Sequence, residues 1–229
     1  MLKICVVLSG CGVFDGSEIH EATAALLAFD RLGAEAFCAA PDIDQYHTID
    51  HVTGQETVDV RGVLAESARI ARGKIRPLSE IHAKDIDALF FPGGFGAAKN
   101  LSSYANAGTM CSIDPQVERI ITEMHAARKP IGAVCIAPVV LAKAFEGTGV
   151  SPKMTIGTDS KTAGDIAGMG ARHENRTVLE VCTDEENLIV TGPAYMLAKR
   201  ISEVFDGVAN VCAEVVRLAQ QQKERHATG

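Results

Sequence analysis

The stretch Ile131-Gly132-Ala133-Val134-Cys135-Ile136-Ala137-Pro138-Val139-Val140-Leu141 decides how this chain is read. A short apolar run ends on a cysteine, and a helix can open at once on Pro138. Proline suits the first helical position, where its missing N–H would have been unpaired anyway. The thiol therefore falls on a tight strand-to-helix turn, beside backbone N–H groups that no helical carbonyl can satisfy. Those donors and the positive end of the helix dipole favour thiolate over thiol. The turn has the form of a nucleophile elbow with Cys in place of Ser. A lone cysteine at a strand end is ordinarily a small core residue, but the elbow makes Cys135 the candidate nucleophile.

Outward from the elbow, strands and helices alternate. Leu2–Leu8 is apolar and β-branched and is closed by Ser9-Gly-Cys-Gly12; Glu35–Ala39 and Ala88–Phe91 are further strands. Helical spacing covers Ser17–Leu32, a stretch near Val60–Arg72, and Pro115–Ala127. Met154–Ile156 reads as a short strand, and Val178–Thr183 with Leu188–Thr191 as a hairpin around Asp184-Glu-Glu-Asn187. Ala194–Leu218 reads as a closing helix and Gln220–Gly229 as a frayed polar tail, while residues 41–84 are otherwise mixed. Continuous apolar strands between helices predict a parallel sheet covered on both faces. No composition shift marks a boundary, so one domain over residues 1–229 is expected.

The totals narrow the function. With 229 residues, 47% of them hydrophobic, the chain can bury a substantial core. A formal charge of −7 speaks against nucleic-acid and anionic-membrane partners. No apolar run approaches the roughly 18–20 residues of a membrane span, and the N-terminal run is too short for a secretory signal. Seven cysteines without a Cys-x-x-Cys pair read as reduced thiols, and the expected compartment is cytoplasmic.

Ligand sites in open α/β sheets lie beyond the carboxyl ends of the strands. Three loops satisfy that rule: Ser9–Ser17, Pro92-Gly93-Gly94-Phe95-Gly96, and the elbow. On the helix Ser17–Leu32, Glu21 heads a stripe with Ala25, Ala28 and Leu32, so a carboxylate tops an otherwise apolar face. Burial there should raise its pKa and suit it to proton transfer near neutrality. Glu18 needs no role beyond complementing the helix dipole. The glycines of 93–96 let backbone N–H groups approach a developing oxyanion. The loop matches no phosphate-binding pattern, and neither a nucleotide cofactor nor a metal is expected. Cys11 and Asn100 are secondary candidates. Cys5, Cys38, Cys182 and Cys212 read as core residues and Cys111 as incidental. None of the seven histidines adjoins Cys135 in sequence, and His173 is the one candidate for a base.

Five blocks also carry a resemblance: Leu8–Glu21, Phe91–Leu101, Val134–Pro138, Thr155–Asp159 and Thr191–Ala198. In order, they resemble the PfpI-type superfamily of class I glutamine-amidotransferase-like proteins, and most closely its ElbB (enhancing lycopene biosynthesis, glyoxalase-like) branch. The resemblance implies a flavodoxin-like α/β three-layer sandwich with a mainly parallel sheet, usually assembled as a homodimer. By position it carries the nucleophile to Cys135, its hydrogen-bonded carboxylate to Glu21 and an oxyanion-type N–H to Gly94. Gly93 and Ile136 stand beside them as substrate-binding positions. Protease-like members place a His directly after the Cys, where this chain has Ile136. Deglycase-like members have a His in the segment corresponding to Gly157-Thr158-Asp159, where this chain has none.

The expected activity is that of a cofactor-independent glyoxalase converting glyoxal or methylglyoxal to glycolate or lactate. A small amidase and a non-catalytic, redox-sensing or isoprenoid-pathway-associated binding protein are the alternatives.

Overall fold

The apolar run Lys3–Val7 lies inside a sheet that grows from it in both directions. The computed structural model describes residues 1–228, so Gly229, the last residue of the expected tail, lies outside the described residues. In chain order the strands are β1 (Lys3–Val7), β2 (Glu35–Ala40), β3 (Thr48–Ile49), β4 (Glu56–Thr57), β5 (Ile75–Pro77), β6 (Ala88–Phe91), β7 (Ile131–Val134), β8 (Lys153–Met154), β9 (Arg172–His173), β10 (Cys182–Asp184) and β11 (Ile189–Gly192). The α-helices are α1 (Ile19–Arg31), α2 (Val63–Ile70), α3 (Phe95–Lys99), α4 (Tyr104–Ala107), α5 (Pro115–Ala126), α6 (Pro138–Phe145), α7 (Ser160–Gly168) and α8 (Ile201–Thr228).

Seven strands pair in the order β10-β11-β7-β6-β1-β2-β5. All neighbours run parallel except the β10–β11 hairpin. Because every residue of β6 and β7 is buried, both strands are apolar throughout instead of alternating. Side chains alternate between two cores. Cys5 and Val7 face the core built with α3, α5 and α6, while Ile4 and Val6 face the one built with α1 and α8. This is a flavodoxin-like α/β fold, a mostly parallel sheet between two helical layers. The register pairs Phe91 with Ala133 and Val134 with Gly192, which brings the loops leaving β6, β7 and β11 side by side.

Several expectations are corrected. The closing helix does not start at Ala194: Ala194–Met196 is a 3-10 turn with Ala194 at φ 44°, and α8 begins at Ile201. In that turn the Tyr195 N–H, which has no helical acceptor, is directed to Glu21. The tail expected from Gln220 is the end of α8, which runs to Thr228 and packs Leu218 and Ala219 into the core. Met154–Ile156 does not enter the main sheet. It contributes β8 to a separate pair with β9, and the Ile156 N–H is taken by a His173 ring nitrogen. Within 41–84 the sequence missed edge strand β5 and the β3–β4 hairpin, all short and only partly apolar. The helix near Val60–Arg72 is the shorter α2, opened by Gly62.

Candidate active site

Cys135 closes β7 with φ 60°, a left-handed conformation that a non-glycine residue adopts only under constraint. The constraint is visible: its N–H is bound by Gly192 O at 3.0 Å, and Ala137 N–H turns back to Val134 O at 3.0 Å. Pro138 then opens α6 without a lost N–H bond. The Ile136 N–H is left to reach the Cys135 sulfur, as the Gly94 N–H does from the neighbouring loop. The expected elbow is present, and the Gly94 and Ile136 N–H groups both act to lower the proton affinity of its sulfur.

Glu21 arrives from α1. Glu18 caps that helix by accepting the Glu21 N–H at 2.7 Å, a fixed role beyond the dipole contact expected of it. One carboxyl oxygen of Glu21 accepts the Gly93 N–H at 2.8 Å and the other the Tyr195 N–H at 3.1 Å. The Cys135 thiol completes its partners. Glu21 is fully buried and Cys135 is 8% exposed.

Gly93 has no side chain for a steric reason: a Cβ there would fall 2.7 Å from Glu21 Oε2 and 2.9 Å from Cys135 Sγ. Gly94, at φ 94°, lets the loop meet the first one, where Gly93 O accepts the Glu18 N–H at 2.9 Å. The three loops expected at the site therefore interlock.

The electrostatics overturn one expectation. Burial, aided by the neighbouring Glu21 charge, pushes the Cys135 thiol well above its ordinary value, against the pull of the Gly94 and Ile136 N–H groups. Desolvation outweighs those two donors, so burial favours the thiol over the thiolate read from the sequence. Burial likewise raises Glu21 to about 7, with the Tyr195 and Gly93 N–H groups opposing and the Glu18 charge adding. Near neutrality the carboxyl is thus poised to take or give a proton.

The secondary candidates separate. Asn100, 7% exposed, donates to Ser9 O and Asp15 O at 2.8 Å each and accepts the Tyr46 N–H at 2.9 Å, clamping the first loop from beneath. Burial raises the pKa of Cys11, with the Glu66 charge of α2 adding and Arg69 opposing, and its loop is closed by the Gly12 N–H on Ser17 O at 2.9 Å. His173, the base an amidase needs, has its Nε2 on the Ile156 N–H at 3.2 Å, and burial lowers its pKa. Cys5, Cys38, Cys182 and Cys212 are core residues as expected, and Cys111 is buried with them.

Sequence reasoning missed Tyr195. Its block was visible, but nothing local signals that a main-chain N–H there would bind a carboxylate 174 positions away.

A model of the DJ-1/PfpI family matches residues 7–199. The rat protein named "ES1 protein homolog, mitochondrial" is 45% identical over 226 residues, covering 94% of this chain and 84% of the rat protein. The human "Glutamine amidotransferase-like class 1 domain-containing protein 3, mitochondrial" is also 45% identical, over 94% of this chain and 83% of its own length. The crystal structure of an isoprenoid biosynthesis protein with an amidotransferase-like domain from Ehrlichia chaffeensis is 36% identical and superposes with a TM-score of 0.89, over 95% of this chain and 99% of that one. The cytoplasmic placement expected from the cysteines is corrected by these relatives, since the rat and human proteins are named mitochondrial. Reduced thiols report a redox state that more than one compartment provides.

Proposed function

The chain belongs to the DJ-1/PfpI family, and on that premise we propose that it is a cofactor-independent, glyoxalase-like enzyme acting on small 1,2-dicarbonyls. The observation that carries this reading is the juxtaposition of the Cys135 thiol and the Glu21 carboxyl on either side of Gly93, with the Gly94 and Ile136 N–H groups lowering the proton affinity of the same sulfur.

The chemistry follows from where the protons stand. Ionised Glu21 takes the thiol proton as Cys135 Sγ adds to the aldehyde carbon and passes it to the carbonyl oxygen, giving a hemithioacetal. The Gly94 and Ile136 N–H groups, released from the sulfur, hold the developing oxyanion. Glu21 then removes the proton from the former aldehyde carbon and returns one to the adjacent carbon through an enediol, producing a thioester. Water cleaves the thioester, freeing the thiol and a 2-hydroxy acid: glycolate from glyoxal, lactate from methylglyoxal. A nucleophilic residue only 8% exposed favours a small, unbranched aldehyde.

The alternatives find less support. Amide hydrolysis must protonate a leaving amine, and His173 is committed to the Ile156 N–H. Peroxide sensing depends on thiolate character and exposure, whereas the Cys135 thiol is buried and its pKa is raised. The test of the dicarbonyl reading is Cys135→Ala, which is expected to abolish methylglyoxal turnover. Full turnover in that variant would overturn the proposal.

A further inference from the structure

Two consecutive residues of α1 grip one residue of the loop after β11. Glu21 takes the Tyr195 N–H on a carboxyl oxygen at 3.1 Å, and the His20 Nδ1 lies 2.7 Å from the Tyr195 hydroxyl. The two rings pack at 5.9 Å between centroids. The loop needs such a hold. Ala194, just before Tyr195, sits at φ 44°, where a side chain strains the backbone. Of the two N–H bonds to Glu21, the one from Tyr195 is also the longer, 3.1 Å against 2.8 Å from Gly93.

We propose that His20 and Tyr195 are positioning residues of the Cys135–Glu21 pair: the bond between their side chains holds the Tyr195 N–H against the Glu21 carboxyl. This rests on the reading of Glu21 as the proton acceptor for Cys135. Neither side chain touches the sulfur, and both act through one backbone donor. The groups that face His20 are the Tyr195 hydroxyl and the Glu18 carboxylate, 3.9 Å from Nδ1. Glu18 in turn caps the helix turn that carries Glu21, so the grip and the cap fix the same carboxyl from two sides.

The consequence is readable without any substrate. Of the influences opposing the raised proton affinity of Glu21, the Tyr195 N–H is the largest. If the hydroxyl anchor is lost, the N–H drifts and the carboxyl holds its proton more tightly. A carboxylate accepting two or three N–H donors can fall by about two units. One loosened donor is therefore expected to raise the titration by roughly half a unit or more.

The experiment is the rate of Cys135 alkylation by iodoacetamide against pH, followed on the Cys135 peptide by mass spectrometry. Wild type is compared with Tyr195→Phe, His20→Leu, His20→Gln and Glu21→Gln, with thermal melts confirming that each is folded. Tyr195→Phe keeps the ring and the N–H and removes only the anchor. Its inflection, and that of His20→Leu, should move to higher pH at unchanged melting temperature. His20→Gln, whose amide can still bond the hydroxyl, should stay near wild type. If Tyr195→Phe and His20→Leu superimpose on wild type while Glu21→Gln does not, the positioning role is overturned and the Glu21 reading stands. A wild-type profile that Glu21→Gln leaves unchanged would overturn both.

Discussion

The Cys135 thiol and the Glu21 carboxyl crowd one spot where water scarcely reaches, Sγ 2.9 Å and Oε2 2.7 Å from where a Cβ on Gly93 would stand, and burial raises the proton affinity of both. Isolated, each would be an unlikely combination of buried and ionisable. Together, one group supplies the proton the other needs, and the nucleophile is generated as it attacks instead of resting as an ion.

This arrangement predicts a pH-dependent stability. Glu21 titrates near 4.5 unfolded and is raised to about 7 in the fold. Between those values the folded state binds more protons, so stability is fully present below the unfolded value and falls as pH rises toward 7. The loss should be on the order of 3 kcal/mol, read as a falling free energy of unfolding in urea. In Glu21→Gln this component of the slope should vanish; an identical slope would contradict the assignment.

Glu21→Gln is also expected to lower dicarbonyl turnover by about 10²- to 10⁴-fold, the usual worth of a positioned acid–base group. The amide keeps the shape but offers a single acceptor to the two N–H donors of Gly93 and Tyr195. Steady-state kinetics at saturating methylglyoxal would show the loss in kcat.

Gly93→Ala tests the geometry independently of any charge. A Cβ at 93 would intrude between Glu21 Oε2 and Cys135 Sγ, and both sit on rigid elements. Turnover should fall at least as far as in Glu21→Gln, with slower alkylation of Cys135. Wild-type rates in this variant would show that the pair does not need its close contact.

Asn100→Ala removes the two hydrogen bonds that clamp the first loop and the third that ties Tyr46 to it. Leaving their buried partners unpaired should cost roughly 2–4 kcal/mol of stability in denaturant unfolding. Turnover should fall less than in Glu21→Gln, since Asn100 touches neither reacting group. A neutral effect on stability would dismiss the clamp.

The strands nearest the site were legible because they are fully buried: Ala88–Phe91 and Ile131–Val134 are uninterrupted apolar runs. The elbow was legible from Cys135 and Pro138, and Glu21 from its apolar stripe. What failed was whatever depends on distant partners. The thiolate expectation weighed the local donors but not burial or the charge of Glu21, both of which enter with the tertiary structure. The helix expected from Ala194 is interrupted by the positive φ of Ala194 and the 3-10 turn Ala194–Met196, neither of which the local pattern announces. Strand β5 is three residues long, with an exposed Arg76 and a half-buried Pro77, and is a strand only because β2 lies beside it.

The most direct test of the central claim follows glyoxal and glycolate by NMR in wild type, Cys135→Ser and Glu21→Gln side by side. The account predicts glycolate from wild type, none above background from Cys135→Ser and a trace from Glu21→Gln. Equal glycolate in all three samples would contradict it.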